Sequence, residues 1–566
     1  MKKTLLSFSV IFILLLTIGF KNIRAHKHIE NAAPTALRAY GTYTIAATDK
    51  RLIEVSGEVM QGDKLKDGAK IVTSQLKMNK IERWQKWLIS KQANGYYTIM
   101  NLYSGKYLGA DPYNYNIGPN IPSQSRGYDN DYKYWEFELI SGRGYIIKNK
   151  INGLVLTRIK RTIIAPVTGK DIKTGRMVTA IPFDEDYVAL EKKGNNYNNT
   201  ENQLWDLNNV ASDSYRDDAV VGFFQRTTGS TAFDEGASIP LSYGPNKNKV
   251  IWLTGDTFYN QVDEKGEFAC NLIFPYHNAA LLQPADHSWD PAKTANITSP
   301  DGVQIFHTDN PKNLLWPGVG IEIGNHVYVH CIEVITGTLN TVNQYLADVT
   351  ETGTTSAPPV KLISIPNVSG QTKLIYSLGM VNPGDGFIYT YGTGGYFGAS
   401  VYVARFPVMH PTQWTFWDGK TWASKPTDAP AAVIGKGPVN NNTVGYVNGK
   451  YVLITMDYGF TCDVPTRNMY AAVSTSPTGP FINKRTVYVL PDYKQGHAPS
   501  YYNPTIHAEF NNGHNELLVN YCINFYNTND RANTTCLTPC SNPDGSEDPN
   551  DYRPKGVRIP FSLIGL

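Results

Sequence analysis

Two repeat periods divide this chain, and nothing else in the sequence constrains its fold as strongly. Between about Tyr40 and Val210, three units open with the strand-like runs Tyr43-Thr44-Ile45, Gly95-Tyr96-Tyr97-Thr98-Ile99 and Gly144-Tyr145-Ile146-Ile147. They close at Gln85-Lys86-Trp87, Lys133-Tyr134-Trp135 and Gln203-Leu204-Trp205. Such a period marks a supersecondary piece that buries its apolar face against copies of itself. The step from Trp135 to Trp205 is longer than that from Trp87 to Trp135, so the third unit carries an insertion. From about Asp217 the grammar changes. Five apolar runs, centred on Trp252, Tyr328, Tyr389, Leu453 and Leu518, each follow turn residues: Gly244-Pro245-Asn246, Gly324-Asn325, Gly384-Asp385-Gly386, Asn448-Gly449 and Asn512-Gly513. Each run owns roughly 70 residues, the size of a four-stranded propeller blade with long loops. The expectation is an all-β protein whose residues 217–566 form a five-bladed β-propeller.

Composition narrows the function classes. The 566 residues are 18% charged and include 36 Tyr, 48 Gly and 34 Pro, a strand-and-turn mixture. The first 25 residues carry Lys2-Lys3, an apolar stretch from Leu5 to Phe20, and then Asn22-Ile23-Arg24-Ala25, the pattern of an export signal rather than a membrane span. Removing their four positive charges from a net of +3 leaves a near-neutral chain, which argues against nucleic acid or another polyanion as partner. The expected location is therefore outside a bacterial cytoplasm (periplasm, cell surface or medium), with no transmembrane anchor once the signal is removed. Six cysteines in an exported chain permit disulfides, and Cys536 with Cys540 is the easiest pair to draw. Their scattered positions, without any Cys-x-x-Cys, argue against a zinc site. No cofactor or metal is expected, with a structural calcium ion left open.

Within the three units, Ser104-Gly105-Lys106-Tyr107-Leu108 and Asn152-Gly153-Leu154-Val155-Leu156 occupy corresponding places, and the first unit contains Asp67-Gly68-Ala69. Together with the closing Gln-x-Trp, these residues make 40–210 resemble the ricin-type β-trefoil lectins. That resemblance implies a glycan-binding module in which an acid after a conserved Leu holds sugar hydroxyls. Only Glu54, in Leu52-Ile53-Glu54-Val55, matches that position; the second unit has Gly109 there and the third has no acid. At most one pocket of the lectin type is expected.

The hairpin around Pro245 carries the chemistry. Asp234, in Phe233-Asp234-Glu235-Gly236-Ala237-Ser238, and Asp256, in Trp252-Leu253-Thr254-Gly255-Asp256-Thr257-Phe258, are symmetric about the turn. In an unbulged hairpin they sit opposite each other, roughly 5 Å apart at Cβ. Two carboxyls that close cannot both ionise cheaply, so an acid and a base coexist, as glycoside hydrolysis requires. The same motifs resemble the opening of a bacterial and phage propeller family, long of unknown function, that includes endo-D-arabinofuranases and shares the scaffold of the arabinanase-like glycosidases. The likeness continues through His277-Asn278-Ala279, Trp316-Pro317-Gly318-Val319-Gly320, Tyr391-Gly392-Thr393-Gly394-Gly395 and His507-Ala508-Glu509. It implies Asp234 and Asp256 as the catalytic carboxyls. Where that pattern often carries a third acid this chain has Val319, which leaves the third group absent or supplied by Glu322.

The remaining candidates for substrate contact are Asn278, Trp316, Tyr391, Asp457, His507 and Glu509. Asp457 lies four residues past Leu453 as Asp256 lies four past Trp252, which fits a funnel-facing acid or a loop-capping one equally. His507 and Glu509 share one strand face and suit a sugar-binding or a structural pair. Tyr391, Tyr396 and Trp417 fit sugar stacking or blade core. The function expected from these readings is a secreted glycoside hydrolase cleaving a furanose-containing polysaccharide, endo-acting on D-arabinan by resemblance. A non-catalytic glycan-binding propeller is the rival, and a lyase using Tyr391 and His507 a third possibility.

Overall fold

A computed structural model describes residues 37–566 except 77–79, 111–121, 126–130, 171–176, 195–199, 271, 300–301, 339, 351–354, 356–357, 395–398, 439, 527, 530–533, 538–539, 541 and 543. The expected export signal and Tyr396 fall outside the described residues. Among those described, no helix is long and apolar enough to cross a membrane.

The first module is a β-trefoil built as one 12-stranded antiparallel sheet from Tyr40–Ala47 to Trp205–Asn209. Its threefold logic is visible in the closing tryptophans. Trp87, Trp135 and Trp205 are fully buried, and their indoles donate to the carbonyls of Ile53 (3.2 Å), Leu108 (3.0 Å) and Leu156 (2.9 Å). An indole N–H needs an acceptor when its ring is buried. Each unit supplies one from the residue after its inward Leu or at that Leu itself. The insertion in the third unit is the long hairpin Val155–Lys170/Met177–Glu191.

The second module is a five-bladed propeller. Blade one comprises Ser230–Pro240, Val250–Tyr259, Ala279–Gln283 and Ala295–Ile297; blade two Asn313–Ile323, His326–Ile335, Thr341–Thr350 and Val360–Ile363. Blade three runs from Leu374–Val381 through Phe387–Gly394 and Ser400–Pro407 to a short outer edge, and blade four from Asn442–Val447 to Ile482–Val489. Blade five joins Ser500–His507, Glu516–Asn524 and Lys555–Pro560 to Tyr215–Arg216, so the start of the propeller pairs with its end and closes the ring. This outer strand begins two residues ahead of the expected Asp217 boundary. The five runs visible in the sequence are the second strand of every blade. The first strands pack against each other around the axis.

The modules are joined by buried polar contacts. Lys106 of the trefoil pairs with Asp218 of the propeller at 3.1 Å, and Tyr40 of the trefoil donates to Glu516 of blade five at 2.9 Å. Beside this junction, the closing strand of blade five is tied within the propeller, Arg216 to Asp492 and Tyr215 to Glu516, each at 2.7 Å.

The disulfides differ from the pair drawn on sequence proximity. Cys270 bonds Cys540 and Cys462 bonds Cys536, with Cα separations of 5.0 and 5.3 Å, and Cys331 and Cys522 are buried free thiols. Cys536 and Cys540 are neighbours in sequence, but each meets a different loop.

Candidate active site

The site begins with a broken hairpin. Phe233 pairs with Thr257 and Ala237 with Leu253, but between them Glu235 pairs with Thr254, so bulges interrupt the ladder on both strands. Glu235 takes the left-handed conformation at φ 65° and Gly236 at φ 83°; a non-glycine residue held there is a mark of imposed geometry. The bulge carbonyls are caught from blade five, where Asn520 donates to the carbonyls of both Glu235 and Gly236 at 3.1 Å. The expected face-to-face pairing of Asp234 and Asp256 thus becomes a tighter contact of another kind: the backbone N–H of Asp256 donates to Asp234 Oδ1 at 2.9 Å. A Cβ on Gly255 would lie 2.4 Å from that same oxygen, so the glycine of Gly-Asp-Thr-Phe is what admits the carboxyl.

Tyrosines from two distant segments complete the shell of Asp234. Its Oδ2 accepts from Tyr502 Oη at 3.2 Å and Tyr552 Oη at 3.0 Å. Burial, followed by the charge of Asp256, pushes the Asp234 carboxyl up to about 7, against the pull of the three donors. Among the described residues, Asp256 is held through Oδ1, which lies 2.8 Å from His277 Nδ1 and accepts from Trp316 Nε1 at 3.0 Å. A third carboxyl, Glu235, stands beside the pair. Burial, then the charges of Asp234 and Asp256, drives it well above the usual carboxylate range, and its Oε2 has no hydrogen-bond partner among the described residues. The cluster therefore holds protons near neutrality on some carboxyls while leaving Asp256 with an oxygen to offer. Donating a proton to a leaving oxygen and accepting one from water are both within its reach.

Other sequence candidates lie elsewhere. Glu322 does not approach the pair. It accepts from the backbone N–H groups of Ser242 (2.7 Å) and Tyr243 (2.9 Å), capping the turn at the opposite end of the Asp234 hairpin. Val319 is partly buried and packs against the apolar cluster between blades two and three. Asn278 is buried, its amide donating to the carbonyls of Phe306 and Leu315 and accepting from Ile305 and Phe306, so it is a blade strut rather than a sugar contact. Tyr391 is fully buried core with its hydroxyl on the Pro477 carbonyl. Asp457 lies at the same end of its blade as Asp256. Its oxygens are taken by Asn468 N–H and Nδ2 and by Tyr470 Oη, all at 2.9 Å, which is the loop-capping role. His507 is buried against Trp252, with Nδ1 2.6 Å from Ser238 Oγ, a hydroxyl that also bonds Glu509. Ser238 pairs with Trp252 on the other side of the bulge from Asp234, and the hydrogen bonds of His507 and Glu509 run to Ser238 rather than to the acid pair. Burial pushes Glu509 up to about 7 and His507 down to about 3. Trp417 packs against Trp422 at a tilt of 57° at the edge of blade three. In the trefoil, Glu54 accepts from Ser74 Oγ at 2.6 Å and Gln85 Nε2 at 2.8 Å and lies 3.6 Å from Lys64 Nζ.

Of the substrate-contact candidates, Trp316 is the one brought to the acid pair. Sequence reasoning missed Glu235, His277, Tyr502 and Tyr552. His277 opens a motif that drew notice for Asn278, and Glu235 stands next to Asp234, so both left a signal; the tyrosines left none.

No curated protein matches this chain. Among solved structures, it is similar to a candidate hydrolase from Bacteroides ovatus ATCC 8483, at 21% identity over 62% of this chain and 90% of that one, with a TM-score of 0.48. It is similar to a GH43_1 enzyme from Xanthomonas citri at 12% identity over 60% and 92%, with a TM-score of 0.33. The trefoil is similar to the designed three-fold symmetric protein ThreeFoil at 16% identity over 30% and 99%, with a TM-score of 0.21. The profile described as ricin-type beta-trefoil lectin domain-like matches residues 83–162. The profile described as domain of unknown function DUF5005 matches residues 217–560, the whole ring of blades and more than half of the sequence, and the chain belongs to that family.

Proposed function

We propose that the propeller hydrolyses a glycosidic bond, with Asp234 as proton donor to the leaving oxygen and Asp256 as the partner carboxyl that activates water or attacks carbon. The observation that carries this reading is the contact between the two acids, in which burial and the charge of Asp256 keep Asp234 protonated up to about pH 7. His277 and Trp316 orient Asp256 through Oδ1 and leave its other oxygen for the reaction. Phe274, against His277, and Phe460, against Tyr502, flank the cluster with partly exposed rings suited to sugar faces. The lectin-like trefoil supports a glycan substrate. The two disulfides suit an exported protein. Furanose-containing polysaccharide, with endo cleavage of D-arabinan as the leading choice, is the substrate class we put forward.

A specific observation favours a second reading, glycan binding without cleavage. Asp234 already accepts three protein donors, which leaves little room for a leaving group. One experiment separates the two. The purified protein is incubated with a panel of polysaccharides that includes D-arabinan and L-arabinan, and new reducing ends are counted alongside binding. New ends that vanish in Asp256→Asn support hydrolysis. Binding without new ends on every member overturns it in favour of the second reading.

A further inference from the structure

Between strands Glu516–Asn524 and Lys555–Pro560 the chain leaves blade five and returns to it. The ring would close without this excursion. Its two cysteines reach the blades on either side: Cys536 bonds Cys462, in the loop after strand Lys450–Met456 of blade four, and Cys540 bonds Cys270, in the loop after strand Val250–Tyr259 of blade one. Cys536 and Cys540 thereby tie this strap to blade four and to blade one.

Its return limb is ordered to deliver one side chain. The short helical turn Pro549–Tyr552 is capped by Asp548, and Lys494 reaches Asp548 at 3.3 Å and Asp551 at 2.7 Å. Glu547 and Phe268 exchange both backbone hydrogen bonds, at 2.8 and 2.9 Å, joining this limb to the Cys270 loop. Arg553 donates to the carbonyls of Thr231 and Arg226, both at 2.8 Å. Between these anchors the ring of Tyr552 is buried, stacked on Phe274 of the Cys270 loop and edge-on to Phe258. Its hydroxyl meets Asp234 Oδ2, 318 residues away in sequence.

We infer that Tyr552 is a positioning residue that sets the proton affinity and orientation of the Asp234 carboxyl, and that the two disulfides hold it in place. The role of Asp234 as proton donor is taken from the hydrolase reading; the contact itself does not depend on it. A hydroxyl that donates to a carboxylate stabilises the charged form more than the neutral one. Losing it raises the carboxyl pKa. Tyr502 donates to the same oxygen from strand Ser500–His507 and needs no crosslink, so it supplies the internal comparison.

The test is the titration of Asp234, followed by NMR in protein labelled at the aspartate carboxyl carbons and assigned with Asp234→Asn. Tyr552→Phe keeps the ring and removes the hydroxyl. It should raise the Asp234 titration by about one unit and shift the matching limb of the pH–rate profile to higher pH. The paired variants Cys270→Ser/Cys540→Ser and Cys462→Ser/Cys536→Ser should shift it the same way while keeping the circular dichroism of the full chain. A titration that Tyr552→Phe leaves in place overturns the positioning role. Folded cysteine variants with an unshifted titration overturn the part played by the disulfides, as does a cysteine pair whose loss unfolds the whole chain rather than freeing the strap. If the titration moves as stated but no glycan is cleaved by the unaltered protein, the positioning stands and the hydrolase reading falls.

Discussion

Replacing Asp234 by Asn should remove turnover and, at neutral to alkaline pH, make the protein more stable. The carboxyl is held at about 7 in the fold, against about 3.9 in an unfolded chain. An acid whose folded pKa is raised binds its proton more tightly in the native state. It is neutral in both states below about pH 4 and costs the fold nothing there. Between pH 4 and 7 the unfolded chain ionises freely while the native one resists, and above 7 the cost is complete. Three units at about 1.4 kcal/mol each set a ceiling of about 4 kcal/mol, and sharing of protons with Glu235 and Asp256 lowers it. Asn also gives up one acceptor for either the Asp256 N–H or the tyrosine hydroxyls, a loss of about 1–3 kcal/mol that does not vary with pH. The diagnostic quantity is therefore the change in the stability difference between variant and parent from pH 4.5 to pH 8, measured by urea unfolding. It should favour Asn by about 2–4 kcal/mol more at the higher pH. Glu509 also resists ionisation up to about 7, but it is present in both proteins and cancels. A stability difference that is flat across this range would refute the claim that Asp234 is buried with a raised pKa. Turnover on a substrate the parent cleaves should fall about 100- to 10,000-fold.

Four further outcomes follow from the geometry. Gly255→Ala places a methyl 2.4 Å from Asp234 Oδ1, so it should lose activity as deeply as Asp234→Asn without gaining its alkaline stability; parallel urea titrations distinguish them. Glu322→Gln alters only a turn cap and should leave turnover within about threefold; a catalytic-scale loss would return Glu322 to the site. Arg216→Met removes one partner of a buried ion pair with Asp492 and should cost about 3–5 kcal/mol, seen as a lower urea midpoint, because the closing strand and the trefoil junction weaken together. Tyr552→Phe should raise the Asp234 titration, read by carboxyl NMR as described above.

Much of the architecture was legible because it rests on residues that answer to local rules. In most blades the second strand is nearly all buried and follows a tight turn, so Val250–Tyr259, Phe387–Gly394 and Lys450–Met456 announce themselves by composition and punctuation. The first strands do not. Ser230–Pro240 carries Asp-Glu-Gly in its middle because it lines the site, and function there overrides strand propensity. The trefoil tryptophans were legible for a related reason: each unit must bury the same indole and satisfy the same N–H. Disulfide connectivity was not, because Cα approach is set by loops that cross from blade to blade.

The acid cluster shows where local reading works and where it stops. Symmetry about Pro245 predicts that Asp234 and Asp256 meet, and they do even though the hairpin is bulged. From Phe233 to Ser238 and from Trp252 to Thr257 the two strands advance by the same number of residues, so irregularities on one are compensated on the other and the count survives. Alternation failed one residue later. In a regular strand Glu235 faces away from Asp234, and only its left-handed φ swings its carboxyl back beside the pair. The third acid was sought at Val319 because a sequence pattern placed it there. That position is partly buried against the apolar cluster between blades two and three, where a carboxylate would lie against hydrophobic side chains. The bulge itself gathers Asp234, Glu235 and Asp256, two of them adjacent in the chain, so a valine at 319 does not leave this end of the hairpin short of carboxyls.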